Sequence, residues 1–389
     1  MTAVPIYGEC DQRFIRVCKA FEKNFENDGE LGAALSITLA GQPVVDLWGG
    51  YADKERQKEW AEDTIVNVYS TTKGMTAVCA HRLIDQGLLD LDEKVSYYWP
   101  EFAQAGKENI PVRYLMAHRA GLAAISKPLV TEDIFNWETM TSALAAQEPW
   151  WEPGTRHGYH ALTFGWLVGE VVRRISGKSL GTYFREEVAE PLGLDIHIGL
   201  DDRHFHRVTD MIPAPPPPPA AEGEFNLAEL ITKDMESVTA KAFINPMMPR
   251  GIQNTPEWRR AEIPAANGHC SARSLARFYG ALSVGGELDG VRVLSPESIE
   301  RARTEQVSGP DQVLFMESRF GLGFMLPWPI MGTFLKNPRS FGHAGAGGSF
   351  AWADPEAGLG FGYVMNKMDA GLAGDVRAAS LLQAMYESV

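Results

Sequence analysis

The 389-residue chain reads as an α/β protein whose sheet is assembled from both ends of the sequence. Paired β-type runs lie near the N-terminus, and a second set lies in the last third. The stretch between them is rich in helical periodicity, proline and tryptophan but poor in strand signals. The expected layout is one sheet domain from residues 1–104 and 266–389, with a mostly helical domain inserted over 105–265. A cleft between the two is a natural place for a site.

Each element has its own signal. Over residues 12–27, Phe14, Val17, Cys18, Phe21 and Phe25 recur at helical spacing, and Asn27-Asp28-Gly29 ends the pattern. Residues 33–39 and 44–50 are β-type runs about Gly41-Gln42-Pro43, which predicts a hairpin. Residues 65–69 are short and β-branched, so they approach the next element in extended form. That element is a helix in which Met75, Val78, Cys79, Arg82 and Leu83 place one stripe toward a core, with Gly87 as its stop. Residues 161–176 and 180–190 read as helices of the insertion. Pro213 to Pro219 reads as an extended or polyproline II loop. The last third offers helices over 271–284, 295–304 and 371–387, a turn at Gly285-Gly286, and strand signals at 321–326, 341–343, 348–354 and 360–365.

Composition narrows the function classes. Apolar residues make up 45% and charged residues 22% of the chain, as in ordinary soluble globular proteins. A net charge of −14 argues against nucleic acid and anionic membranes as partners. Cys10, Cys18, Cys79 and Cys270 show neither a C-x-x-C pair nor zinc spacing, so no disulfide framework, metal or cofactor is expected. Cys79 reads as a small core residue. No secretory leader and no bilayer-length apolar run is visible, so a cytoplasmic location is expected.

The chemistry begins at Ser70-Thr71-Thr72-Lys73. A serine and a lysine three apart at a helix start share one helical face, and a desolvated lysine can take the serine's proton. S-x-x-K is a known nucleophile motif. The bland alternative is an N-cap serine beside a solvated lysine. A second candidate is Tyr159, at a loop-to-helix junction after Trp151-Glu152-Pro153-Gly154. Beside a lysine its pKa is expected to fall, making the phenolate a base or proton relay; the alternative is a packed tyrosine. A third is the glycine-rich stretch Gly342 to Phe350 around His343. A backbone N–H there, with that of Ser70, would bind an oxyanion, and His343 would donate to the substrate carbonyl side or to Tyr159. Residues 115–122 read as a helix end with a shaping role.

Two patterns are set aside. Gly177-Lys178-Ser179-Leu180-Gly181 matches the G-x-S-x-G esterase elbow, but a helix rather than a strand precedes it, so Ser179 reads as a cap. Asp201 to His206 looks like metal ligands without a supporting set, and reads as a solvated loop.

Taken in order, these motifs resemble the family VIII carboxylesterases, which are related to class C β-lactamases. The resemblance rests on Ser70-Thr71-Thr72-Lys73, Leu115-Met116-Ala117-His118-Arg119-Ala120-Gly121-Leu122, Trp151-Glu152-Pro153-Gly154 with Tyr159, Pro191-Leu192-Gly193-Leu194, residues 271–278, and His343-Ala344-Gly345. It implies a β-lactamase/transpeptidase-like fold, an antiparallel sheet flanked by helices plus a mostly helical domain, with the active site in the cleft between them. It implies Ser70 as the acylated nucleophile, Lys73 and Tyr159 as the base system, and the N–H groups of Ser70 and Ala346 as oxyanion donors. His343 and Gly345 would line the substrate site. Two departures matter: Tyr159-His160-Ala161 lacks the amide of Tyr-x-Asn, and His343-Ala344-Gly345 replaces Lys-Thr-Gly. The lost lysine and threonine help bind the β-lactam carboxylate in that family, so their absence points from β-lactams toward neutral esters. The expectation is a serine carboxylesterase acting on a small-molecule, short-chain ester. The alternatives are a β-lactamase or D-amino-acid peptidase or amidase, an acyltransferase, and a non-catalytic sensor.

Overall fold

A computed structural model describes residues 4–214, 227–329, 331–371 and 374–389. Most of the 213–219 proline run lies outside the described residues. Six antiparallel strands form the main sheet, in the order Ile6–Cys10, Gln42–Gly50, Gly32–Leu39, Leu359–Met365, Phe350–Asp354, Phe341–Ala344. Its central seam joins the two ends of the chain, with Leu35 opposite Tyr363 and Ile37 opposite Phe361.

Small residues on that seam decide how closely a helix can lie on it. The helix Ala272–Ser283 packs on the strands Gly32–Leu39 and Leu359–Met365. A Cβ at Gly360 would sit 2.4 Å from the Gly280 nitrogen, and one at Gly362 would sit 2.5 Å from the Ala272 carbonyl. Glycine is therefore required for this contact. Ser271 starts the helix by accepting the Ser274 N–H. The helices Ile15–Asn27 and Val376–Tyr386, remote in sequence, pack on each other, and Asn24 Nδ2 donates to the Arg377 carbonyl at 3.2 Å.

The helix Thr72–Asp85 differs from the amphipathic expectation. Every residue from Thr72 to His81 is buried, so the helix is enclosed on all sides. It packs against Thr163–Ser176, Leu180–Phe184 and the strand Phe341–Ala344. The turn at Gly87, with φ +70°, ends it as expected.

Two other expectations need correcting. Residues 321–326 are not a strand: the sheet-like pairing lies earlier, between Val307–Pro310 and Glu317–Phe320, and Gly323 at φ +82° turns the chain so that only Met325 bridges, to Phe320 and Gly342. The closing helix starts at Val376 because Asp375 caps it by accepting the Arg377 and Ala378 N–H groups. The edge strand Ile6–Cys10 carries no alternating pattern; its middle residues are exposed, and Gly8 lets it approach the Asp46 carbonyl. All four cysteines are free. Among the described residues, no helix is long and apolar enough to cross a membrane.

Candidate active site

The turn that presents Ser70 is tightly specified. Val66–Asn67 pairs with His269–Cys270, and the Val68 N–H donates to the Gly268 carbonyl at 2.9 Å. Tyr69 then adopts φ +45°, a strained conformation for a bulky L-residue. The N–H groups of Thr71, Thr72 and Lys73 are used within the turn, on the carbonyls of Val68, Tyr69 and Ser70 at 3.2, 3.0 and 3.0 Å. The Ser70 N–H finds no partner among the described residues. Ser349 Oγ donates to the Val68 carbonyl at 2.8 Å and meets Thr71 Oγ1 at 3.2 Å, which ties the turn to the glycine-rich segment.

Lys73 is fully buried. Its Nζ lies 3.1 Å from Ser70 Oγ and donates to the carbonyls of Ala161 at 2.7 Å and Ala265 at 3.0 Å. Burial holds its pKa well below the ordinary lysine range. A neutral amine has two N–H bonds and one lone pair. The two carbonyls take the N–H bonds, which leaves the lone pair for the Ser70 hydroxyl. The solvated lysine of the bland reading is not what the fold builds.

Tyr159 stands beside this pair, its ring 4.8 Å from Lys73 Nζ. Its hydroxyl is buried and has no hydrogen-bond partner among the described residues. The expected fall in its pKa is reversed. Burial raises it, the nearby Asp311 charge adds to the rise, and the closeness of Ser70 only partly opposes them. Tyr159 is a phenol in the resting site, so it is placed to give a proton rather than to begin as phenolate.

Buried histidines surround the pair, and their hydrogen bonds set their tautomers. His160 donates from Nδ1 to the Gly158 carbonyl at 2.7 Å and accepts the Leu122 N–H at Nε2, 3.2 Å away. Burial lowers its pKa to about 4. His118 Nδ1 accepts the His160 N–H at 3.1 Å. His343 donates from Nδ1 to the Ala344 carbonyl at 2.7 Å. Burial and then Lys73 lower its pKa to about 3, so it is neutral and its buried Nε2 is an acceptor with no partner among the described residues. The expectation that His343 donates toward substrate or Tyr159 is corrected on this ground: Nδ1 holds the proton.

The glycine-rich segment presents Ala346. The N–H groups of Gly345, Gly347 and Gly348 are used by Ser349, Gly371 and Gly345 carbonyls, whereas that of Ala346 has no partner among the described residues. Gly345 is pressed against the Ser70 turn, since a Cβ there would fall 2.2 Å from both Ser349 Oγ and the Val68 carbonyl. Behind the segment, Arg377 donates to the Gly347 carbonyl at 3.0 Å and pairs with Asp375 and Glu30 at 2.5 and 2.9 Å.

The fold thus gathers Ser70, Lys73, Tyr159 and His343, and sets Gly345 against the same turn. Ser179 lies elsewhere as a helix cap, accepting the Thr182 N–H and donating to Glu262 Oε1 at 2.6 Å. Asp202–Arg207 is a short 3-10 helix, and no group of residues that could hold a metal ion is found among the described residues. Sequence reading missed Asp311 and Arg377. Asp311 directly follows the strand Val307–Pro310, and no sequence pattern marks it.

The β-lactamase family profile matches residues 19–385. The chain belongs to the β-lactamase family and is a serine hydrolase. It is 39% identical over 366 residues to the esterase/β-lactamase LipL of Mycobacterium tuberculosis, covering 93% of this chain and 83% of the relative. Among solved structures, a family VIII carboxylesterase superposes with a TM-score of 0.91 at 40% identity, covering 99% of this chain and 100% of that one. A penicillin-binding protein homologue from Caulobacter crescentus gives the same TM-score at 41% identity and the same coverage.

Proposed function

We propose that the protein is a carboxylesterase that hydrolyses short-chain, neutral esters through an acyl-enzyme on Ser70. The observation that carries this reading is Lys73: fully buried, occupied by two carbonyls, and 3.1 Å from the nucleophile. Lys73 takes the Ser70 proton as the oxygen attacks the ester carbonyl. The N–H groups of Ser70 and Ala346 receive the oxyanion; one such donor is worth roughly 3 kcal/mol in the barrier. The Tyr159 phenol gives its proton to the departing alkoxide and is reprotonated from Lys73, so the acyl-enzyme forms with the base free again. Water then repeats the sequence, with Ser70 as leaving group. On this reading the substrate enters between the sheet portion that carries Ser70 and the helical insertion that carries Tyr159.

The neutral His343, where related β-lactamases carry a lysine, favours esters without a carboxylate. The names of the relatives support the ester reading: a carboxylesterase at 40% identity, and LipL as an esterase/β-lactamase. The test is p-nitrophenyl acetate and butyrate hydrolysis by wild type, Ser70→Ala and Ser179→Ala, with fluorophosphonate labelling alongside. Loss of turnover and labelling in Ser70→Ala alone is expected. Turnover that survives in Ser70→Ala would sink the assignment. Benzylpenicillin hydrolysed as efficiently as the ester would favour the β-lactamase alternative.

A further inference from the structure

We infer that Asp311 is the positioning residue of Tyr159, which makes the aim of the phenol depend on a carboxylate that touches neither substrate nor nucleophile. This rests on the reading of Tyr159 as part of the proton-transfer system. The Asp311 side chain has no solvent exposure. Its Oδ1 accepts the Tyr159 N–H at 3.0 Å, the Val313 N–H at 2.8 Å and the Leu314 N–H at 2.9 Å. Its Oδ2 accepts the Ser318 hydroxyl at 3.0 Å, and Ser318 in turn meets His157 Nε2 at 2.9 Å. One carboxylate therefore closes its own loop and grips the Tyr159 segment.

The need for such a grip follows from the tyrosine itself. Among the described residues its hydroxyl finds no partner at hydrogen-bond geometry, and the polar side chain nearest in effect is that of Ser70, the group it serves, so the tip alone does not aim the ring. The ring is otherwise held by stacking on Phe320 at 5.9 Å and packing on His118 at 5.1 Å. The backbone does the rest. The Gly158 N–H donates to the His118 carbonyl at 3.1 Å, the Tyr159 N–H to Asp311, and the His160 N–H to His118 Nδ1. Asp311 supplies the middle one of three consecutive anchors. Without it a buried N–H is left unpaired, and the segment shifts to find a partner.

The carboxylate also has an electrostatic reach. The groups facing Tyr159 are Ser70 and Lys73 from the nucleophile turn and helix, His118 from the loop after the helix Val112–Met116, His343 from the strand Phe341–Ala344, and Asp311. Asp311 is the one anion among them, and it favours the protonated phenol.

The experiment is a double-mutant cycle with p-nitrophenyl butyrate: Asp311→Ala, Asp311→Asn, Tyr159→Phe and the two doubles. A displacement of about 1 Å at a reacting group is worth about 100-fold. Asp311→Ala is expected to lower kcat by about that factor while KM moves by less than about threefold. In the Tyr159→Phe background the same change is expected to cost less than about twofold, because the residue it aims has lost its proton. Asp311→Asn keeps the acceptor oxygen, and is expected to recover most of kcat. In protein labelled with 3-fluorotyrosine, the 19F resonance lost in Tyr159→Phe is expected to shift or broaden in Asp311→Ala. Equal factors in both backgrounds, or an unmoved resonance, would overturn the inference; if Asp311→Ala fails to fold, a Tyr159 19F resonance unmoved in Asp311→Asn, which removes the charge facing the phenol, would do so. Full activity in Tyr159→Phe would instead overturn the reading of Tyr159, and with it any part for Asp311 in catalysis.

Discussion

Gly345→Ala is the sharpest test of how the Ser70 turn is held. The new Cβ would fall 2.2 Å from Ser349 Oγ, 2.2 Å from the Val68 carbonyl and 3.1 Å from Thr71 Oγ1. Ordinary contacts between such atoms lie at about 3.5 Å, so more than about 1 Å must be made up. Ser349 cannot simply rotate away, because its hydroxyl bonds the same Val68 carbonyl. The Val68 oxygen is backbone, two residues from the nucleophile. Either the Ser70 turn or the Ala346 segment must move by about an ångström, and both carry groups assigned to the reaction. Such a shift predicts a loss of about 100-fold in kcat and about 1–3 kcal/mol of stability. Gly345 has no positive φ, so the effect is steric. The control is Gly332→Ala, where an added Cβ meets nothing within 4 Å. Steady-state ester hydrolysis and urea unfolding of both variants make the assay. Wild-type kcat in Gly345→Ala would refute the claim that this contact sets the geometry of the site.

Lys73→Arg puts a cation that cannot deprotonate in place of the neutral amine, and is expected to lose at least about 1,000-fold in kcat/KM; near-normal rates would remove Lys73 as base. With Lys73 depressed by burial, the wild-type rate should rise with pH through that lowered pKa and level off below the ordinary lysine range. The linkage sign is the same: the unfolded chain, with a lysine pKa near about 10.4, binds the extra proton. This group's contribution to stability therefore rises with pH between the lowered and the unfolded value, and Lys73→Met should remove that slope from a urea-unfolding series. Arg377→Met leaves Glu30 and Asp375 buried without their cation, and should cost about 3–5 kcal/mol; a loss below about 1 kcal/mol by urea unfolding would show that the network is not coupled to the fold.

How much of this was legible in the sequence depends on how local each cause is. Ser70 and Lys73 were readable because three residues of helix put them on one face, a geometry internal to the segment. The sheet was readable in its buried strands, and unreadable at Ile6–Cys10, where half-exposure erases the alternating pattern. Leu322, Phe324 and Leu326 mimic a strand by alternating, but Gly323 makes them a turn. The pKa of Tyr159 was misjudged because the neighbouring lysine was visible and the burial was not. Lys73's two carbonyl partners come from Ala161 and Ala265, 88 and 192 positions away. Asp311 acts on a backbone N–H 152 positions distant, and no spacing rule reaches that far.

The sheet seam between Gly32–Leu39 and Leu359–Met365 has a consequence for how the protein comes into being. On the ribosome, Ser70 and Lys73 are translated long before Ser349, which is 278 positions beyond the threonine it contacts. Until the final strands emerge, the nascent chain holds the nucleophile without its anchor and without Ala346. The strand Gly32–Leu39, apolar and already hairpinned to Gln42–Gly50, meanwhile offers a bare edge to any neighbouring strand. Such long-range closure makes folding slow, and it ties the completion of the Ser70 turn to the arrival of the last strands.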